Sequence, residues 1–173
     1  MDLPLEFATS RLAARVPDAD DANVAAALTQ VLTPATTAEL PPGWQGDYDE
    51  QRAATWLAER VNEGSVMLLQ STETDQTMGV LIIHAEPAPE DGNERVDLRI
   101  GYVLAEHAWG QGLATEVVRG LVDRARQRSD IRVIHAGVAV SNAASIRVLE
   151  KCGFKRDADG GSVDTRSYVI DLT

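Results

Sequence analysis

Apolar positions along the chain follow two periods. Val24, Leu28, Val31 and Leu32 recur at helical spacing, which predicts a helix over 22–32 with Asp18 or Asp20 as its N-cap. Ala53, Trp56, Leu57 and Val61 predict a second helix over 48–62, opened by Asp47 and closed by Gly64. Residues 9–16 have strand character. The apolar runs 65–70 and 79–85 flank the polar TETDQ and predict a hairpin. A strand over 95–104, a glycine-rich turn and a helix to about Arg128 follow. Residues 131–140 are apolar at nearly every position, as a buried central strand requires. Asn142 caps a short helix over 143–151 that Gly153 stops. A strand starts at Phe154, and Tyr168, Ile170 and Leu172 alternate in a last strand over 166–172. Residues 33–46, with three prolines and two glycines, read as a loop, as do 86–94. Mixed strands with helices between them, and no repeat or linker, predict one α/β domain over 1–173, with antiparallel and parallel parts.

The stretch 98–116, LRIGYVLAEHAWGQGLATE, organises the rest. An apolar strand breaks into a turn, and Trp109-Gly110-Gln111-Gly112-Leu113-Ala114 opens the long helix. The helix's first turn offers unpaired N–H groups and the positive end of its dipole, which suits a phosphate or pyrophosphate. The same glycines could serve only to shape a tight strand-to-helix connection. A dinucleotide-binding fingerprint is excluded, because its third glycine would fall at Thr115, and a P-loop because Gly-Lys-Ser/Thr is absent.

Composition narrows the class. The chain has 173 residues, 44% hydrophobic and 25% charged, ordinary for a globular protein. It has no apolar run of membrane-spanning length and no basic, apolar leader, so a cytoplasmic protein without a membrane partner is expected. A lone cysteine, Cys152, builds neither an internal disulfide nor a metal site. A net charge of −11 argues against a nucleic-acid partner and favours cationic ones, although solubility accounts for most of such a charge.

Four motifs together resemble the GNAT superfamily of acyl-CoA-dependent N-acetyltransferases, and more narrowly its RimJ/RimL-like branch. They are Thr9-Ser10-Arg11-Leu12 with Arg15 and Asp20; Ile100-Gly101-Tyr102-Val103-Leu104; Trp109 to Glu116; and Asn142-x-x-Ser145 followed by Leu149-Glu150-Lys151-Cys152-Gly153-Phe154. The resemblance implies a mixed, largely antiparallel central sheet, flanked by helices and splayed between its fourth and fifth strands. It implies acetyl-CoA as co-substrate and no metal. The pantetheine arm would lie along Tyr102, Val103 and Leu104. The pyrophosphate would sit on Gly110, Gln111, Gly112, Leu113, Ala114 and Thr115, and Asn142 would bond the pantetheine side. Arg119, Arg147 and Lys151 could meet the phosphates or merely be solvated. The branch also implies a homodimer.

The chain departs from the family at Trp109, Leu149 and Cys152, the last standing where the family usually has an apolar residue. Trp109 stands where the loop often begins with Gln or Arg. Leu149 stands where many members place a tyrosine general acid; in the branch a serine one turn earlier is the candidate for that task, here Ser145 on the same helix face, although a serine inside a helix can equally bond its own backbone. The implied reaction is direct attack of a neutral primary amine, at a protein N-terminus or on a small molecule, on the thioester. A lysine-like amine is neutral about once in 2,500 at pH 7, an α-amine about once in ten. A base therefore matters more for the first. Asp97, Glu94, His107 and Asp164 are the candidates, none singled out by a motif and each better read as solvated or structural, while His84 and His135 read as structural and Cys152 as core. A different acyl donor such as succinyl-CoA, or an inactive acyl-CoA-binding regulatory domain, are the alternative readings.

Overall fold

The computed structural model describes residues 5–18, 20–89 and 95–173. One eight-stranded sheet runs through the molecule. Its strands are β1 (Phe7–Ala8), β2 (Leu12–Arg15), β3 (Ser65–Ser71), β4 (Thr77–Pro87), β5 (Val96–Leu104), β6 (Ile131–Ala139), β7 (Lys155–Gly161) and β8 (Thr165–Asp171), in the spatial order β1-β2-β3-β4-β5-β6-β8-β7. Every neighbouring pair is antiparallel except β5 and β6. That pair is parallel because a helix, α4 (Leu113–Arg126), carries the chain across between them.

Helices cover both faces. On one side α4 and α5 (Ala143–Lys151) bury Leu113, Val117, Val118, Leu121 and Leu149 against Leu81, Leu98, Ile134 and Tyr168. On the other, α1 (Ala22–Val31) and α3 (Glu50–Glu63) bury Leu28, Trp56 and Leu57 against Val66, Leu68, Val80 and Val103. Strand β4 feeds both layers, Leu81 and Ile83 one way and Val80 the other, which explains its unbroken apolar run.

The predicted α/β sheet is present, and it splays where expected. Backbone pairing of β5 with β6 ends at Ile100–Ala136, while β5 stays paired with β4 through Leu104. These are the fourth and fifth strands of the sequence reading; the two-residue β1 adds one to the count.

Several local expectations need correction. Asp21, not Asp18 or Asp20, caps α1 by accepting from the Asn23 N–H, and Asp49, not Asp47, caps α3 by accepting from the Arg52 N–H. Residues 33–46 are not an irregular loop. Thr33 and Thr36 form a reciprocal capping box around α2 (Pro34–Thr37), and residues Pro42–Trp44 make a 3-10 turn. The buried face of α3 uses Arg60, 6% exposed, in place of Val61, 45% exposed. The Arg60 guanidinium lies 4.4 Å from the Trp44 ring centroid and bonds Glu63 at 2.8 Å. Stacking on tryptophan makes a buried cation tolerable there.

Candidate active site

The splay opens a groove of 580 Å³ with three walls: the free edge of β5 at Tyr102, Val103 and Leu104, the turn and first residues of α4, and α5. Segment 35–40 closes the remaining side. From Gly101 to Leu104, β5 has no partner strand on the β6 side, so backbone groups on that edge, apart from the Leu104 carbonyl that the Trp109 indole holds, are available to an extended ligand.

Local sequence explains the turn. Gly110 has φ of 71° and Gly112 of 75°, the left-handed region that favours glycine. Gly112 is the N-cap of α4, which leaves the N–H groups of the first helical turn directed at the groove. The Trp109 indole donates to the Leu104 carbonyl at 3.0 Å and fastens the turn to the strand it left. Gly110, Gly112, Leu113, Ala114 and Thr115 all line the groove. Gln111 does not: its side chain turns back to the His107 carbonyl at 2.8 Å.

A latch holds this turn from behind. Glu116 accepts from the Thr9 hydroxyl at 2.6 Å, the Arg11 backbone N–H at 2.9 Å and the Arg11 guanidinium at 2.7 Å. Arg11 also donates to the Gln111 carbonyl at 2.9 Å. Burial works to raise the Glu116 pKa. The bonds from Thr9 and Arg11, with the Arg11 charge, outweigh it and hold the carboxyl below its ordinary 4.5. The stabilisation this provides is complete above pH 4.5 and disappears as pH falls through the lower folded value. Glu116→Gln is therefore expected to lower stability at neutral pH by about 1–2 kcal/mol, with Arg11's exposure moderating a charged hydrogen-bond network. It is also expected to flatten the stability–pH curve below 4.5. Thermal unfolding across pH checks both.

The α5 side supplies polar groups. The Asn142 Oδ1 accepts from the Ser145 N–H at 3.1 Å as the helix cap, leaving its Nδ2 as a donor. Ser145 lines the groove one turn from Leu149, which is 1% exposed and wholly in the core. Arg147 and Lys151 line it too. Arg119 faces a separate outer cleft and bonds the Lys151 carbonyl at 3.3 Å. Cys152 contacts the Thr115 carbonyl at 3.6 Å, and burial pushes its thiol pKa up, so it is no ready nucleophile.

Of the base candidates, Asp97 takes a structural place. It is 5% exposed and receives two bonds from Arg132, with His135 at 3.9 Å, so it is a neutralised structural carboxylate. His107 lies exposed on a 3-10 turn, and Asp164 is exposed in the bend before β8. Neither lines the groove. Glu94 lies outside the described residues. His84 bonds the Glu63 carbonyl at 2.5 Å. The carboxylate that does line the groove among the described residues is Glu39, which accepts from the Ser141 hydroxyl at 2.6 Å. Sequence reasoning missed it because it treated 33–46 as structureless. The signal was Thr33-Pro34, a cap followed by proline at the first helical position. No cluster of metal-ligating side chains is present among the described residues, and no described helix is long and apolar enough to cross a membrane.

Comparison with known proteins agrees with this geometry. Residues 11–155 match the family model of the acetyltransferase (GNAT) domain. A probable N-acetyltransferase of Bacillus subtilis (strain 168), YjcK, is 45% identical over 58 residues, 34% of this chain and 32% of its own length. The chain spans from about a third to two thirds of the length of the curated relatives it matches, 32% to 65%. Among solved structures, a GNAT-family acetyltransferase from Bacillus anthracis superposes with a TM-score of 0.75 at 16% identity, covering 96% of this chain and 98% of its own. RimL, a ribosomal alpha-N-protein acetyltransferase in complex with coenzyme A, also superposes at 0.75, with 19% identity over 94% and 95% of the two chains. A family model matched over most of the sequence, on a sheet that splays beside a glycine turn, establishes that this chain belongs to the GNAT acetyltransferase family.

Proposed function

We propose that the protein transfers an acetyl group from acetyl-CoA to a primary amine, by direct attack with donor and acceptor bound together. The observation that carries this is the free edge of β5 at Tyr102–Leu104, lying beside a helix N-terminus presented by two left-handed glycines. An extended amide-bearing arm fits the first and a pyrophosphate the second. Coenzyme A has both. The RimL structure, which holds coenzyme A, supports the same reading.

Charge orders the groove. Arg147 and Lys151 lie toward the C-terminal half of α5, whose end meets the first turn of α4. Glu39 stands against Ser141, just before the start of that helix. Phosphates belong at the basic end, and a cationic amine at Glu39. An amine approaching Glu39 can lose its proton there and attack the thioester carbon. A free backbone N–H near Val103 or Leu104 would take the oxyanion's charge. The carbon–sulfur bond then breaks, and Ser145 supplies the thiolate's proton.

Within the family, the RimJ/RimL-like branch fits the Thr9–Arg11 latch and Ser145 in place of a helix tyrosine. On that reading residues 1–173 form one such domain, the chain pairs as a homodimer measurable by light scattering, and an α-amine is the better acceptor. The test is amine-dependent thiol release from acetyl-CoA, with N-terminal peptides, polyamines and aminoglycosides as acceptors and succinyl-CoA as a second donor. Release with acetyl-CoA, fastest for α-amines, is expected. Preference for succinyl-CoA would overturn the donor, and no amine-dependent release with either donor would overturn the function.

A further inference from the structure

Five glycines lie inside strands among the described residues: Gly79, Gly101, Gly137, Gly160 and Gly161. A glycine inside a strand costs stability, so each needs a cause: a bulge, a bend, or the close approach of another chain segment or a ligand. Three have a cause within the protein. A Cβ on Gly79 would stand 2.5 Å from the Val103 carbonyl oxygen, one on Gly160 2.6 Å from the Ser167 Cβ, and one on Gly161 2.4 Å from the Thr165 carbonyl oxygen. Gly101 and Gly137 have no such cause. An added Cβ meets nothing within 4 Å at either position. Neither has a positive φ, and the pairing of β5 with β4 and of β6 with β8 runs through them without a register shift.

The two lie side by side. Pairing between β5 and β6 ends at Ile100–Ala136, so Gly101 and Gly137 are the first residues past it. Ile100 and Ala136 belong to the core under α4 and α5, and strand alternation turns the two glycines to the opposite face. Helices α1 and α3 cover that face only as far as β5: the strand residues buried in their layer come from β3, β4 and β5, and none from β6. Gly137 is exposed and Gly101 half-buried. The sheet therefore carries an open, flat floor at the apex of the splay, on the side away from α4 and α5. Arg99 and His135, the next residues down that face, lie beside Glu86 at 3.0 Å and Asp97 at 3.9 Å, so the lower border of the floor is polar. At the other end the Glu39–Ser141 bond reaches from segment 35–40 to the turn just past β6. Neither glycine lines the cofactor groove.

Resting on the acetyl-transfer reading, we propose that Gly101 and Gly137 are specificity-determining residues that keep this floor flat for the body of the acceptor, the first residues of a peptide. The peptide lies across the two glycines. Its α-amine reaches Glu39 at the open end and the thioester at the free edge of β5, where Gly101 adjoins Tyr102. Its amide groups suit the polar border at Arg99 and His135. A slim linear diamine has no such width and no need of the glycines. A side chain at either position stands where the peptide must lie, and leaves the walls of the cofactor groove in place.

The test is Gly101→Val and Gly137→Val in the full chain, each beside its alanine counterpart. Amine-dependent thiol release is read with a tripeptide bearing a free α-amine and with putrescine, alongside KM for acetyl-CoA and the thermal midpoint with and without acetyl-CoA. For the tripeptide, kcat/KM is expected to fall at least about 10-fold in both valine variants, the scale on which a pocket separates substrates by one methylene. The alanine variants fall less. For putrescine, any loss stays within about threefold; KM for acetyl-CoA stays within about twofold, and the midpoint does not drop, because a β-branched residue suits a strand. Unchanged tripeptide kinetics in either valine variant overturns the proposal. So does an equal loss with both amines, or a fall in the midpoint or in acetyl-CoA protection, since the glycines would then be structural. A wild-type protein that uses other amines and not the tripeptide also overturns it. If wild-type protein turns over no amine at all, the acetyl-transfer reading itself has failed, a result distinct from these.

Discussion

Ser145→Ala is expected to lower kcat by on the order of 100-fold while leaving the KM for acetyl-CoA nearly unchanged. That loss corresponds to about 2.7 kcal/mol of transition-state stabilisation. The expectation follows from position. Ser145 sits in the first turn of α5, its backbone N–H already satisfied by Asn142, so its hydroxyl is free to face the groove. Removing one oxygen leaves the cap, the helix and the core at Leu149 intact. A fall in kcat with KM preserved marks an interaction made in the transition state. Steady-state kinetics at saturating amine checks this, and equal kcat values would remove Ser145 from the mechanism.

The second large effect is on binding. Gly112→Val is expected to weaken acetyl-CoA binding by about 5- to 30-fold, the factor that 1–2 kcal/mol produces. Gly112 caps α4 with φ of 75°, and a β-branched residue there is a genuine outlier. The substitution is not blocked by crowding, since the nearest atom to an added Cβ is Arg11 Nη2 at 3.8 Å. Backbone strain would be relieved by rotating the turn, which takes the Leu113–Thr115 N–H groups out of line with the ligand. Gly112→Asn separates strain from bulk, because asparagine tolerates the left-handed region. It is expected to keep most of the affinity. Titration calorimetry with both variants decides between strain and bulk. Equal weakening by Asn and Val would point to bulk instead.

Much of this site is legible in the sequence because its parts are local. The turn at Gly110 and Gly112, the Asn142 cap and the placement of Ser145 each depend on fewer than ten consecutive residues. The sheet's parallel pair follows from one helical crossover. What escaped the sequence depends on partners far away. Asp97 lies on the right strand, but its partner Arg132, on β6 and 35 positions on, is visible only in the fold. Arg60 looks like a surface residue until Trp44 stacks over it. Glu39 faces the groove only because a capping box turns 33–46 into ordered structure and Ser141, 102 positions away, bonds its carboxylate. The N-cap assignments differ by one to three residues where aspartates at 18, 20 and 21, or at 47 and 49, compete for the role.

The most direct test of the account is thermal unfolding of the wild-type protein with acetyl-CoA, free CoA and no ligand. The groove is proposed as the acyl-CoA site, and one site at 100 times Kd adds about 2.7 kcal/mol. For a chain of this size that raises the midpoint by several degrees with either ligand. A midpoint unmoved by both at millimolar concentration would contradict the account: the glycine turn would then be only a connection between β5 and α4.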